Sequence, residues 1–173
     1  MKVLKIGLIV AGCLVGIVII ALLGYRLFYS QGVAESFEVN SPELATKVLV
    51  ATQGSSFKNA LVSGITEDLG KKQVYIKVID VSALPEINEA EWHALVLLNT
   101  CQSSKMQADA KDYLARAKEL EKIILLTTSG SGNWKPEGAP VDSISSASRK
   151  KQVQPLVTEI LKRLDGILEN VSG

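Results

Sequence analysis

Histidine and cysteine are nearly missing from this chain, with one His and two Cys among 173 residues. Such scarcity excludes a disulfide framework and a clustered soft-metal site, since both need several such side chains close together. An excess of charge of either sign is missing as well. With 19 Lys+Arg against 18 Asp+Glu, the chain lacks the electrostatic footprint of a nucleic-acid binder. No Gly-x-Ser-x-Gly elbow and no complete Walker loop occurs, and neither do internal repeats or low-complexity tracts. The length allows one ordinary domain with an appendage. No reaction can be read from this inventory.

What the chain does have is unevenly spread hydrophobicity. Residues 6–23 read IGLIVAGCLVGIVIIALL, without a charge or a strongly polar side chain. Eighteen helical residues rise roughly 27 Å, close to the hydrocarbon thickness of a bilayer. Tyr25, Phe28 and Tyr29 follow and suit an aromatic interface belt. A cleaved secretory signal would have a shorter apolar region and a small-x-small site before polar sequence. Val10-Ala11-Gly12-Cys13 resembles a bacterial lipobox, but Lys5 interrupts the approach and the apolar run continues well past Cys13. The expectation is therefore an uncleaved single span within residues 1–26, with Cys13 as a small apolar residue in lipid. Lys2 and Lys5 precede the span and only Arg26 closely follows it. The positive-inside rule then puts the amino terminus in the cytoplasm and the rest of the protein outside the cell membrane.

Residues 27–45 carry Gly, Ser, Asn and Pro without clear period and read as a tether. Residues 46–173 read as the domain, in which short apolar runs alternate with amphipathic stretches. Lys47–Ala51, Val74–Val81, Ala94–Leu98 and Lys122–Thr127 are the strand candidates, with Val141–Ile144 as a short fifth. Helical spacing marks Phe57 to Leu69, with Ser55 or Ser56 as cap and Gly70 as stop. It returns in Ala110–Leu120 and in Val153–Leu168, where Pro155 fits the first turn. Leu84–Glu91 supports a short helix at most, and Ser129–Pro140 shows no helical period. Val141–Ser148 reads as a short strand turning into a helix start capped by Ser146 or Ser148. Alternation of this kind predicts an α/β three-layer sandwich around a five-stranded parallel sheet, or four strands plus a short fifth, behind one N-terminal transmembrane helix.

From Lys47 to about Leu168 this order resembles the flavodoxin-like family, especially small members tethered by one N-terminal helix. In such sheets ligands lie outside the carboxyl ends of the strands, at the switch point. The resemblance implies an FMN site there, with a Ser/Thr-x-Thr-Gly-x-Thr loop holding phosphate. Here Thr52, Gly54, Ser55 and Ser56 supply the matching residues, whereas Phe57 replaces the last hydroxyl and Lys58 adds a charge. Asn99, Thr100 and Cys101 belong to the second implied loop, and Ser129, Gly130 and Trp134 to the third, with Trp134 available to stack on a ring. Each set also has a plain structural reading: a capped helix start, a half-buried cysteine, a loop anchored by its tryptophan.

Nucleophilic chemistry finds no support. His93 precedes the strand that Cys101 follows, roughly 25 Å away at ~3.3 Å per residue, so neither a Cys–His dyad nor a Ser-His-Asp triad can assemble. Asp80 reads as the cap of the turn that follows it. Asn170-Val171-Ser172 fits a glycosylation sequon on three residues alone. Three functions stay open: a non-catalytic tethered domain acting through its loop edge, an FMN electron carrier or oxidoreductase beside membrane redox partners, and an extracytoplasmic module for a small anion at Gly54–Ser56.

Overall fold

The computed structural model describes residues 12, 14–22, 32–135 and 141–171. The chain divides into two units, Met1–Gln31 and Gly32–Gly173. In the first, residues 14–22 are helical, and Leu14, Val15, Ile17, Val18, Ile19, Ile20 and Leu22 expose their apolar side chains all round. Among the described residues no helix is long and apolar enough to cross a membrane. The expected span over residues 6–23 lies partly outside the described residues, as do Cys13, Arg26 and the aromatic belt.

Among the described residues the second unit holds six strands: β1 (Phe37–Val39), β2 (Thr46–Thr52), β3 (Val74–Asp80), β4 (Ala94–Thr100), β5 (Ile123–Thr128) and β6 (Asp142–Ser146). They form one sheet in the order β1-β3-β2-β4-β5-β6. β2 to β6 are all parallel and reproduce the flavodoxin-like order, with the switch point between β2 and β4. The predicted five-stranded sheet gains an edge strand. β1 pairs antiparallel with β3, so part of the expected tether is built into the domain. Three residues carry no readable period, and β1 is a strand only because the edge of β3 offers unpaired backbone groups.

Alternating side chains divide the interior into two layers. Val48, Val50, Ile76, Val78, Val96, Leu98, Ile124 and Leu126 point to one face. There they meet Leu61, Ile65 and Leu69 of α1 (Ser56–Leu69) and Val157, Ile160 and Leu164 of α3 (Val153–Val171). α1 and α3 approach closely because Gly64 has no side chain: a Cβ there would sit 2.8 Å from a γ-methyl of Val157. Leu49, Tyr75, Leu95, Leu97 and Leu125 point the other way, onto Val81 and Leu84 and onto Ala110, Tyr113 and Leu114 of α2 (Ala108–Arg116).

Only two of the connections between parallel strands are α-helical among the described residues. β3 leads to β4 through two 3₁₀ turns, Val81–Glu86 and Glu89–Glu91, with Pro85 inside the first. Pro85 has no amide to donate there, and Arg116 ties the turns to α2: its Nη2 donates to Leu84 O at 2.6 Å, which also accepts the Ile87 amide, and to Ile87 O at 3.2 Å. The Glu89 carboxylate accepts the Lys118 and Glu119 amides, which closes α2 before Ala117 and Leu120 can join it. Neither Ser146 nor Ser148 caps the last helix. Ser146 ends β6 and donates to the Gln152 side chain, and a 3₁₀ turn at Lys150–Gln152 precedes α3. Pro155 does fall in the first turn of α3, as expected.

Candidate functional site

The carboxyl ends of β2, β4 and β5 converge at the switch point, and a buried lysine occupies it. α1 begins immediately after β2. Ser55 is its N-cap, with the hydroxyl accepting the Lys58 amide at 3.2 Å, and Gly70 ends it. Helical spacing then puts Lys58 on the same stripe as Leu61, Val62, Ile65 and Leu69, so the lysine turns inward and is 1% exposed. Its Nζ donates to Gln53 Oε1 at 2.9 Å and to the Thr100 hydroxyl. Gln53 Oε1 also accepts the Thr100 amide at 2.8 Å. Thr100 Oγ1 lies 3.2 Å from Thr128 Oγ1, which donates to Asn99 O. The network thus joins β2, α1, β4 and β5. Burial pulls the Lys58 amine from the ordinary 10.5 down to about 7, and the charge of Asp80 offsets part of that fall.

Over this corner runs the segment just before β1. Gly32 and Gly54 exchange two backbone hydrogen bonds, at 2.8 and 2.6 Å. Two residues on, the Ala34 amide donates to Asp80 Oδ2 at 2.7 Å, while Asp80 Oδ1 accepts the Ser82 amide in the cap role expected of it. A Cβ on Gly54 would stand 2.7 Å from the Gly32 carbonyl and from Val33 O. Gly54 is therefore required by the chain that lies on it.

The residues implied for FMN phosphate can now be tested one by one. Thr52 is buried and its hydroxyl donates to Gln53 O. The Gly54 amide is taken by Gly32, and the Ser55 hydroxyl by the helix it caps. Ser56 alone faces solvent, Phe57 is buried, and the Lys58 charge is turned inward. As folded, the Gly54 amide, the Thr52 and Ser55 hydroxyls and the Lys58 amine of this loop are all engaged within the chain.

The two further loops are brought to the same edge but are bound to the scaffold. The Cys101 amide donates to Thr128 O, and the thiol is half-buried. Ser103 and Ser104 both have positive φ, 49° and 58°, in a tight turn closed by Gln102 and Lys105. The Ser129 hydroxyl accepts the Gly132 amide, and the Ser145 hydroxyl donates to the Trp134 carbonyl at 2.6 Å. Trp134 thereby folds back on β6 and is half-buried, whereas Gly130 faces open space. His93 lies at the amino end of β4, bonded to Lys47, which separates it from Cys101 by the whole strand. Among the described residues no group of His, Cys, Asp and Glu could hold a metal.

Two polar atoms at this edge stand without partners. Asn99 Nδ2 and Thr127 Oγ1 are both buried, on residues opposite one another across β4 and β5. Asn99 Oδ1 accepts the Gln107 amide at the start of α2, 3.3 Å away.

Comparison with known proteins supports the fold and stops there. No protein-family model matches the chain, and no curated protein does. Among solved structures it is similar to the flavodiiron core of Synechocystis, with TM-score 0.52 and 11% identity over 74% of this chain. It is similar also to a flavodoxin from Archaea (TM-score 0.48, 16% identity, 74% of this chain and 100% of that one). A third is the rubredoxin oxygen:oxidoreductase of Desulfovibrio gigas (TM-score 0.49, 10% identity, 74% of this chain). The chain spans 37% of the flavodiiron core and 37% of the Desulfovibrio protein. At such identities the likeness establishes a flavodoxin-like fold alone.

Proposed function

We propose that the protein is a membrane-anchored flavodoxin-like domain that acts as a binding domain through the carboxyl edge of its sheet, without flavin. The observation that carries this reading is the Gly32–Gly54 pair, in which the chain's own backbone takes the amide that a cofactor phosphate would need. Lys58 adds to it, because its Nζ serves Gln53 and Thr100 and is not presented to a ligand.

Anchoring is supported by the helical residues 14–22, whose apolar side chains are exposed on every face. A helix with no polar side is stable only when surrounded by apolar material, and lipid is the medium that fits the flanking lysines. The domain then lies outside the cell membrane, with the amino terminus in the cytoplasm.

A second reading retains FMN and makes the protein an electron carrier beside a membrane redox partner. The strand order β1-β3-β2-β4-β5-β6 favours it, since the flavodoxin order places its switch point at this edge. On that reading Gly32 must first leave Gly54. Spectroscopy on the full chain in detergent separates the two. Incubation with excess FMN followed by desalting leaves a colourless protein with unchanged melting temperature if the first reading holds. A retained flavin spectrum with a raised melting temperature overturns it. A reporter fused to the carboxyl terminus tests the orientation, and a cytoplasmic signal from it would refute the outside placement.

A further inference from the structure

Resting on the anchored-domain reading above, we propose that the carboxyl edge of the sheet docks on the headgroups of an anionic bilayer. Arg149, Lys150 and Lys151 make the contact at one end of the edge and Val33 at the other.

Two kinds of side chain that a fold usually hides or neutralises are left open there. Of the large apolar side chains described in the second unit, only Val33 and Phe37 are exposed, at 83% and 41%. Val33 lies on a strap, residues 32–34, that crosses the ends of β2 and β3 between the Gly32–Gly54 pair and the Ala34 amide on Asp80. Ala34 is buried and its neighbour Val33 is turned outward. Arg149, Lys150 and Lys151 follow β6 and are all exposed. The Ser146 hydroxyl donates to Gln152 Oε1 at 2.9 Å and the Arg149 amide to Ala147 O at 2.8 Å, so the basic run is held in a bracketed turn off the sheet.

This charge is not spent inside the molecule. Lys71, Lys72, Lys77, Lys122 and Arg163 each sit beside a carboxylate, but Arg149, Lys150 and Lys151 enter no ion pair among the described residues. Lys105, in the turn after β4, adds a fourth exposed cation to the same edge. Asp80 is buried with its two oxygens on the Ala34 and Ser82 amides, which leaves Glu35 as the exposed acid among the described residues of these loops.

Strand order puts the apolar and basic features on one line. From β2, where the strap is bonded, to β6, before the basic run, there are three strand spacings, roughly 14 Å. Residues 23–31 lead from the apolar helix to Gly32, so an anchored chain enters the domain at this same edge. Apolar and basic side chains together suit the boundary of an anionic bilayer, where each Lys or Arg strengthens attachment about five-fold. An acidic protein would use the same cations, but entry of an apolar stem beside them favours lipid.

The test reads docking in the full chain, reconstituted in nanodiscs of phosphatidylcholine alone or with about a third phosphatidylglycerol. Lysines are acetylated with a water-soluble ester at low salt and read by peptide mass spectrometry, with exposed Lys162, midway along α3, as internal reference. In anionic discs Lys150 and Lys151 should acetylate at least five-fold more slowly, relative to Lys162, than in neutral discs. Salt at about 0.5 M should abolish the difference by screening. Arg149→Glu combined with Lys150→Glu should return Lys151 in anionic discs to its neutral-disc rate without lowering the melting temperature. Val33→Glu, at a position that folding leaves exposed, should at least halve the protection. Protection that survives these changes overturns the proposal. Inorganic phosphate added to neutral discs should protect neither lysine, and protection by phosphate alone overturns the assignment to lipid. Equal labelling in the two lipids overturns the docking and leaves the edge to a protein partner, while co-elution with the discs still upholds the anchor. Failure to co-elute even with neutral discs refutes the anchored reading, and the docking with it.

Discussion

Lys58→Met isolates what the buried lysine does to stability. Methionine keeps the unbranched stem and much of the volume while removing the charge. After the change Gln53 Oε1 keeps the Thr100 amide, and Thr100 Oγ1 keeps Thr128. The wild-type lysine is protonated up to about 10.5 when the chain is unfolded but releases its proton near 7 when folded. Between those values the unfolded state binds more protons, so raising the pH favours the folded protein. The gain is absent below about pH 7 and complete above about pH 10.5. One pH unit inside the window is worth up to about 1.4 kcal/mol for a single group, and incomplete titration at its lower end leaves about 2 kcal/mol between pH 7 and pH 9. Urea unfolding followed by the fluorescence of buried Trp92 measures it. Ionisations common to both proteins cancel in the difference. Wild type should gain about 2 kcal/mol on Lys58→Met over that interval. Parallel profiles would show that the amine keeps its ordinary affinity for protons and would refute the reasoning.

Gly64→Ala should destabilise by about 1 kcal/mol, because the new methyl meets Val157 at 2.8 Å and this outweighs the helix propensity gained. Combined with Val157→Ala it should cost less than the two changes added, and strict additivity in thermal unfolding would refute the contact. Thr127→Val removes a buried hydroxyl with no partner, so stability should hold or rise by about 1 kcal/mol; a loss greater than 1 kcal/mol would mean that the hydroxyl is bonded in solution. Arg116→Ala takes one donor from the carbonyls of Leu84 and Ile87, although Leu84 O keeps the Ile87 amide. It should cost about 1–3 kcal/mol and speed amide exchange across residues 81–91 ahead of the strands, and unchanged exchange there would rule out the clamp.

The parallel core was legible because its signals are local. Lys47–Ala51 is a β-branched run and Ala94–Leu98 an unbroken apolar one, which suits a strand covered on both faces, and the structure extends them only to Thr46–Thr52 and Ala94–Thr100. Ser55 and Gly70 bracket the first helix by cap chemistry that two residues carry by themselves. The α2 boundary was not legible. Tyr113, Ala117 and Leu120 keep the helical period, but the amides that would continue the helix are drawn to Glu89, nearly thirty positions upstream. Periodicity records which face is apolar and nothing about a competing acceptor elsewhere in the chain.

The site was less legible than the fold, for the same reason taken further. The loops at the edge followed from strand order, yet the state of each group in them is set by contacts that cross the chain: Gly32 with Gly54, Ala34 with Asp80, Lys58 with Thr100. One local sign did exist. Lys58 stands on the apolar stripe of Leu61, Val62, Ile65 and Leu69, and a charge in that position must either snorkel out or find buried partners. A lysine on the first turn of a helix has little stem to spare for snorkelling across the sheet, so buried acceptors were required, and the strand ends supply them in Gln53 and Thr100. The strap follows from the same requirement. With Asp80 buried at the end of β3, its second carboxylate oxygen needs a donor that the turn after it does not provide, and the Ala34 amide is that donor. What reads as a tether is thus held to the domain by a polar demand that hydrophobic patterning does not register.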